Sequence, residues 1–173
     1  MNALTRGATL LLAGAALCGC AAMQEYRIDS SGGAGGDTPV TQLAVSANPV
    51  LLADDSAEAA RMARFVESFA ARFSRDFPPL LQLRGLQLHS AGRGVPLLRL
   101  RATSYRQNCP DKGEQGSCQG EVRVEGALLD SGGDVVWTFS SWIDPEEMSA
   151  AGYDDYYKRL LDQMIKDRVF IPN

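Results

Sequence analysis

The sequence predicts an α+β domain, a two-layer sandwich in which a mostly antiparallel sheet of three to five strands carries two main helices on one face. Residues 62–73 carry apolar side chains at spacings of three and four, which is typical of an amphipathic helix. Residues 96–106 and 121–129 alternate apolar and polar side chains, as half-buried strands do. Residues 157–165 carry a second helical stripe. Helical and strand patterns that occur in separate stretches favour this fold class.

The first half of the predicted domain is a strand followed by a helix. Residues 41–52 alternate like a strand until Asn48 and Pro49 interrupt the pattern. An aspartate at the cap and Glu58 three residues later form a capping box, which predicts the start of a helix. We expect this helix to end at residues 77–79, Phe-Pro-Pro, because proline offers no amide and restricts the residue before it.

The second half begins with strands that share an inner face. A short strand is predicted around Leu86 and Leu88, with Leu83 as a further candidate, before a glycine turn at residues 92–94. The next two strands carry opposite charges on their outward faces, which favours antiparallel pairing. Their predicted inward residues are Leu98, Leu100, Ala102, Val122, Val124 and Leu128.

A hairpin and two helices complete the predicted domain. Residues 130–133, Asp-Ser-Gly-Gly, have the composition of a hairpin turn. On the returning strand Val135, Trp137, Phe139 and Ile143 are predicted on one side and Trp142 on the other. A short helix is predicted to start at residues 144–147, where proline follows a capping aspartate, and to stop at Gly152. The final helix is predicted from Asp154.

The N-terminal segment has the features of an export signal. Arg6 precedes an apolar run of roughly ten residues, which is half the length that crosses a bilayer core. Residues 17–20, Leu-Cys-Gly-Cys, resemble the lipobox of bacterial lipoproteins. The resemblance implies that Cys20 becomes the acylated N-terminal residue, with palmitate-type chains that hold it in a membrane. An ordinary secretory signal with two chance cysteines is the alternative.

These features divide the chain into three parts. Residues 1–19 are the predicted signal peptide, residues 20–40 a lipidated flexible tether rich in glycine, and residues 41–173 a single globular α+β domain. Removal of the signal takes away one basic residue and no acid, so the formal net charge moves from −4 to −5. This balance argues against nucleic acid as a partner and against polybasic attraction to a membrane.

The remaining cysteines, Cys109 and Cys118, are predicted to form a disulfide. An exported protein lies in a compartment that oxidises thiols, and the polar loop between the two residues can close. A zinc site is the alternative, but zinc normally needs four ligands and the only histidine, His89, lies far away in the sequence. We therefore predict no metal and no cofactor.

No catalytic site is predicted. His89 is the sole candidate imidazole, and its position beside a turn favours a surface or capping role. The candidate partner-binding residues are Arg99, Arg101 and Trp142. Together with Arg123 the two arginines could bind a phosphate, although interleaved glutamates favour a solvated sheet face. Trp142 is either an exposed anchor for a partner or packed under a helix.

The lipobox, the first helix and the hairpin at residues 124–137 together resemble small bacterial envelope lipoproteins with a strand–helix–strands–helix domain. The lipoprotein of the outer-membrane lipopolysaccharide translocon and the lipoproteins that activate penicillin-binding proteins have a similar layout. The residue after Cys20 is alanine rather than aspartate, which by the sorting rule of enteric bacteria implies the outer membrane. The resemblance implies a non-catalytic lipoprotein on the periplasmic face of the outer membrane, which binds an envelope protein partner in assembly or transport.

Two other functions remain open at this stage. The first is a carrier or sensor of a small apolar or lipid ligand, which would need a cavity lined by Phe65, Phe69, Trp137 and Leu161. The second is an enzyme that uses His89.

Overall fold

A computed structural model describes residues 26–32, 39–48, 57–108 and 119–172. Six strands and two helices are present in these ranges. In chain order they are β1 (Asp29–Ser31), β2 (Gln42–Ala47), α1 (Ala57–Leu83), β3 (Gln87–Leu88), β4 (Leu97–Asn108), β5 (Gln119–Leu129), β6 (Val135–Ile143) and α2 (Ala150–Lys166).

All six strands belong to one mixed sheet, in the order β1-β6-β5-β4-β2-β3. Strands β1, β6, β5 and β4 are antiparallel to their neighbours, whereas β2 is parallel to both β4 and β3. The predicted α+β sandwich is confirmed, but the sheet has six strands rather than three to five. The short strand predicted around Leu86 and Leu88 is β3. The strand that was not predicted is β1, which is three residues long, too short to show an alternating pattern.

Both helices pack on one face of the sheet and enclose the core. The inward positions predicted for β4 and β5 are all buried, which confirms the alternation. Helix α1 lies over β2 to β5, and α2 lies beside it over β6. Phe69 is at the centre of the aromatic cluster, with its ring centroid 5.5 Å from that of Tyr156 and 5.7 Å from that of Tyr153.

Helix α1 does not end at the two prolines. It continues through Pro78 and Pro79 to Leu83, so the predicted end at residues 77–79 is wrong, and so is a strand position for Leu83, whose side chain is 81% exposed. Proline in a helix interior costs about 3 kcal/mol. However, Phe77 and Leu81 continue the buried stripe and are both fully buried, at about 1.5–3 kcal/mol each.

Helix α2 starts at Ala150, four residues before the predicted Asp154, and the separate short helix predicted to start at residues 144–147 does not form. Asp144 accepts a hydrogen bond from the Glu146 amide at 2.8 Å within a turn, so no helix starts there. Ser149 is the N-cap instead, and its hydroxyl accepts from the amide of Gly152 at 3.2 Å. Gly152 therefore lies inside α2. A Cβ at this position would lie 3.1 Å from the Tyr26 hydroxyl oxygen, which explains why a glycine fits here.

Strand β1 and Tyr26 lie within the segment predicted to be a flexible tether. Asp29 and Ser31 are paired with Ser140 and Thr138 of β6, and Tyr26 is 7% exposed. The folded unit therefore includes residues 26–32, and the prediction that residues 20–40 are all tether is wrong for this part. Residues 33–38 and the predicted signal peptide lie outside the described residues.

The hairpin between β5 and β6 forms at the predicted turn. The Asp130 carboxylate accepts hydrogen bonds from the amides of Gly132 and Asp134, and Gly133 has a positive φ of 94°. Trp137, Phe139 and Ile143 are buried as predicted, but Val135 is 55% exposed. The pairing register of β5 and β6 shifts next to the turn, between Leu128 and Leu129. Val135 therefore does not continue the row of inward-facing residues on β6.

A hydrogen-bond network joins the end of α2 to β6. The Trp137 indole donates to Asp167 Oδ2 at 2.8 Å, and the Gln163 amide donates to Asp167 Oδ1 at 3.0 Å. Burial alone would raise the pKa of Asp167, but hydrogen bonds from Ser30, Trp137 and Gln163 outweigh it and lower the pKa.

In the described ranges, neither helix is both long and apolar enough to span a bilayer.

Candidate binding surface on the open face of the sheet

The face of the sheet opposite the helices is the main candidate for a binding surface. We call it the open face, because neither α1 nor α2 lies on it. Alternation places the polar positions of β4, β5, β6 and β1 here. They include Asp29, Ser31, Arg99, Arg101, Arg123, Glu125, Thr138, Ser140 and Trp142.

A groove of about 420 Å³ crosses the open face from β1 to β4. We call it the arginine groove, because Arg99, Arg101 and Arg123 line it. Two carboxylates, Asp29 and Glu125, also line it. Its hydroxyl groups come from Ser31, Thr138 and Ser140, whereas the Ser30 hydroxyl accepts from Gln163 of α2 on the other face of the sheet.

Three of the five charged side chains that line the groove have partners of opposite charge. Arg123 Nε lies 3.1 Å from Glu125 Oε1, and Asp29 Oδ1 accepts from Arg27 Nε at 2.8 Å. Ion pairs of this exposure contribute about 0–1 kcal/mol each. No such pair is seen for Arg99 or Arg101 within the described residues, so they carry the excess positive charge of the groove.

Arg99 combines this charge with a buried donor. Its Nε atom is buried and has no hydrogen-bond partner among the described residues. An unsatisfied buried polar group costs about 1–3 kcal/mol, and more when it is charged. An incoming acceptor would remove this cost.

A second hollow, next to the arginine groove, contains Trp142. The Cζ atom of Arg106 lies 4.1 Å from the centroid of the Trp142 ring, and Arg106 Nε donates to Glu121 Oε2 at 2.7 Å. A cation over an indole contributes about 0.5–1 kcal/mol at an exposed site. The tryptophan is half-buried and on the open face, so the expectation that it packs under a helix is wrong.

The predicted site residues fall into three groups. Arg99 and Arg101 share one groove, and Trp142 lies in the adjacent hollow. His89 is exposed just after β3, and its amide donates to the Leu43 carbonyl at 3.0 Å. The predicted lipidation site and disulfide, Cys20, Cys109 and Cys118, lie outside the described residues and stay predictions.

Sequence reasoning missed the contribution of β1 to the groove. Asp29, Ser30 and Ser31 line it, although this stretch was predicted to be tether. Three polar residues beside a glycine-rich run give no local strand signal. Their pairing with β6, more than a hundred residues away, depends on tertiary structure.

The cavity predicted for a ligand carrier would lie between the sheet and the helices, and aromatic rings fill this part of the interior. Phe69, Trp137 and Leu161 are buried, and Phe65 is half-buried against the core. The ring centroid of Phe69 lies 5.8 Å from that of Phe65 and 6.4 Å from that of Tyr157. This packing counts against an apolar ligand at the predicted cavity.

The fold defines an α+β sandwich with one open sheet face, and several solved structures are similar to it. No protein-family model matches the chain, and no curated protein matches it. A PelC dodecamer from Paraburkholderia phytofirmans is 15% identical, with 83% of this chain and 97% of that chain covered and a TM-score of 0.42.

Two further solved structures are similar at comparable levels. A homolog of neuraminyllactose-binding hemagglutinin from Helicobacter pylori is 11% identical over 80% of this chain and 95% of that chain, with a TM-score of 0.44. The rare lipoprotein B from Shewanella oneidensis is 18% identical over 74% and 85%, with a TM-score of 0.30. These similarities are weak, and no residue of the open face is assigned from them.

Proposed function

We propose that this chain is a non-catalytic lipoprotein on the periplasmic face of the outer membrane, which binds a protein partner of an envelope assembly or transport complex. The lipobox-like residues 17–20 support the anchor. The open face carries the proposal of partner binding, because it presents Arg99, Arg101 and Trp142 on a sheet whose other face is the core.

The composition of the arginine groove supports a binding role rather than catalysis. Its hydroxyl groups could act as nucleophiles only with a general base beside them. Among the described residues that line the groove there is no histidine, cysteine or lysine, and the two carboxylates that line it, Asp29 and Glu125, are each in an ion pair with an arginine. His89, on the far side of β2 from β4, is not part of the groove.

The distance between the anchor and the fold supports a position at the membrane surface. Five residues, 21–25, separate Cys20 from the buried Tyr26. A chain of this length spans at most about 20 Å when fully extended. Acylation of Cys20 would therefore hold Tyr26 and the adjacent Trp142 hollow close to the bilayer, rather than at the end of a tether of twenty residues.

The hairpin register supports the proposed disulfide. Asn108 of β4 is paired with Gln119 of β5, and Cys109 and Cys118 are the neighbours of these two residues in the sequence. Paired residues of antiparallel strands have Cα atoms about 4.5–5.5 Å apart, so the described chain leaves β4 and enters β5 at two points that lie close together. Peptide mass mapping without reduction tests the bond.

Site-specific photocrosslinking in cells tests partner binding. A photoreactive amino acid is placed at Ser31 or Arg101 on the open face, and at Arg64 or Lys158 on the exposed sides of the helices as matched controls. We expect a discrete adduct from the open-face positions and none from the helix positions. Equal adducts from both faces, or adducts from the helices alone, would contradict the proposal.

The anchor is tested separately from the partner. Cys20→Ser removes the thiol that is acylated, and we expect the variant to leave the membrane fraction and to lack the mass of the acyl chains. A wild-type protein with an unmodified N-terminal residue would contradict the lipoprotein assignment.

A further inference from the structure

We infer that the arginine groove binds an acidic segment of the protein partner, with Arg99 and Arg101 as the residues that bind its carboxylates. The inference rests on the proposed function, since it names the chemistry of the partner that the open face binds. Neither arginine forms an ion pair with a described residue, and both line the same groove.

The charge of the groove favours a carboxylate-bearing partner. Glu125 pairs with Arg123, and Asp29 pairs with Arg27, so Arg99 and Arg101 are the two groove-lining cations without an ion pair among the described residues, although Glu125 lies opposite Arg101 in the sheet. A partner segment with two carboxylates would match them. A groove that is only partly solvated strengthens such contacts relative to bulk water.

The buried donor on Arg99 shows what geometry the partner group must have. Nε is the inner nitrogen of the guanidinium, and it is buried without an acceptor. A carboxylate can accept from Nε and from a terminal nitrogen at the same time, through two parallel hydrogen bonds. Because Nε is buried, the Arg99 side chain has to shift to form this pairing, which then satisfies the donor.

The spacing of the two arginines fits an extended peptide. Arg99 and Arg101 are alternate residues of β4, so their Cα atoms are about 6.5–7 Å apart. Alternate side chains of an extended acidic segment repeat at the same distance. The hydroxyls of Ser31, Thr138 and Ser140 line the other side of the groove, on strands that are two and three positions away from β4 in the sheet.

The two carboxylates of the groove favour an acidic peptide over a phosphate ion as the ligand. Asp29 and Glu125 also line the groove, so a bound anion lies near like charges, and repulsion is strongest for charge that is concentrated on one small group. Inorganic phosphate places up to two negative charges on one small group, whereas a peptide distributes single charges over separate side chains. We therefore expect tri-glutamate to bind more tightly than phosphate.

Nuclear magnetic resonance on the full mature lipoprotein in non-ionic detergent micelles tests the inference. The probes are tri-glutamate, the neutral match tri-glutamine, and inorganic phosphate, all at equal ionic strength. Arg99→Gln identifies the Nε–H signal of Arg99. We expect tri-glutamate to move this signal in a saturable way, and tri-glutamine to leave it unchanged.

Two variants make the expected effect quantitative. Arg101→Gln should weaken tri-glutamate binding about tenfold, which corresponds to about 1.4 kcal/mol. Arg64→Gln removes an exposed arginine of α1 and should leave the affinity unchanged. Backbone amide spectra confirm that each variant is folded.

Several outcomes would overturn the inference. They are an Arg99 signal that no probe moves, an equal response to tri-glutamine, stronger binding of phosphate than of tri-glutamate, and equal affinities for the Arg101→Gln and Arg64→Gln variants. Its failure can be distinguished from failure of the proposed function. Crosslinks confined to the open face, together with no response to tri-glutamate, would leave partner binding in place and exclude only the acidic segment.

Discussion

Two adjacent tyrosines of α2 are expected to respond in opposite directions to loss of their hydroxyl groups. Tyr156 and Tyr157 are 0% and 1% exposed. The Tyr156 hydroxyl lies 2.9 Å from Ser141 Oγ in a buried hydrogen bond, whereas the Tyr157 hydroxyl has no partner among the described residues. Replacement by phenylalanine keeps each ring in the aromatic cluster, so the comparison isolates the hydroxyl.

The magnitudes follow from these two environments. Tyr156→Phe removes a hydrogen bond and leaves the Ser141 hydroxyl unsatisfied, so we expect the free energy of unfolding to fall by about 1–3 kcal/mol. Tyr157→Phe removes a buried hydroxyl that has no acceptor, so we expect the free energy of unfolding to rise by about 1 kcal/mol. For a domain of this size, each kcal/mol moves Tm by about 2–4 °C.

Urea unfolding followed by the fluorescence of the buried Trp137 measures both variants at neutral pH. The variant Ser141→Ala completes a double-mutant cycle with Tyr156→Phe, and a favourable coupling energy is expected. The reasoning fails if Tyr157→Phe is as destabilising as Tyr156→Phe, or if the cycle shows no coupling.

The same two tyrosines are expected to lower the stability of the fold at alkaline pH. Burial raises the pKa of both Tyr156 and Tyr157 above the ordinary value. The folded state therefore keeps these protons at a pH where the unfolded state has lost them, so stability falls as the pH rises above about 10. Either phenylalanine variant should reduce this loss in unfolding experiments at pH 9–11.

Three further perturbations test the fold. Pro79→Ala restores an amide in the exposed part of α1 and should raise Tm by several degrees in a thermal melt, since proline costs about 3 kcal/mol in a helix. Gly126→Ala places a Cβ against the Phe139 ring and should cost about 1–3 kcal/mol in urea unfolding, with partial recovery by Phe139→Leu. The lowered pKa of Asp167 stabilises the fold above about pH 4, and this stability is lost as the pH falls; acid titration of Asp167→Asn should show a shallower loss.

The faces of the central strands could be predicted because their pattern is local. In β4 the alternation of Leu98, Arg99, Leu100 and Arg101 directly assigns inward and outward sides. The arginine pair and Trp142 were found on the open face for this reason. A period of two identifies the face of a strand, but not which neighbour completes a groove.

The missed features depend on long-range contacts. Pro78 and Pro79 are strong local signals for a helix end, but the full burial of Phe77 and Leu81 offsets much of the cost of continuing the helix. Asp29 and Ser31 became part of the groove only through β6. Tertiary contacts of this kind have no signature in the residues around them.

Strand β1 lies at the edge of the sheet and pairs only with β6, so it can join the sheet only after β6 is available. Ser31 meets Thr138 across a sequence separation of 107 residues, with their hydroxyls 2.7 Å apart. Strand β1 therefore cannot dock until β6 has been synthesised, and the long loop adds to the entropic cost of this step. With the proposed acylation of Cys20, the lipidated residue would be held in the bilayer six positions before Tyr26 while β1 is still unpaired.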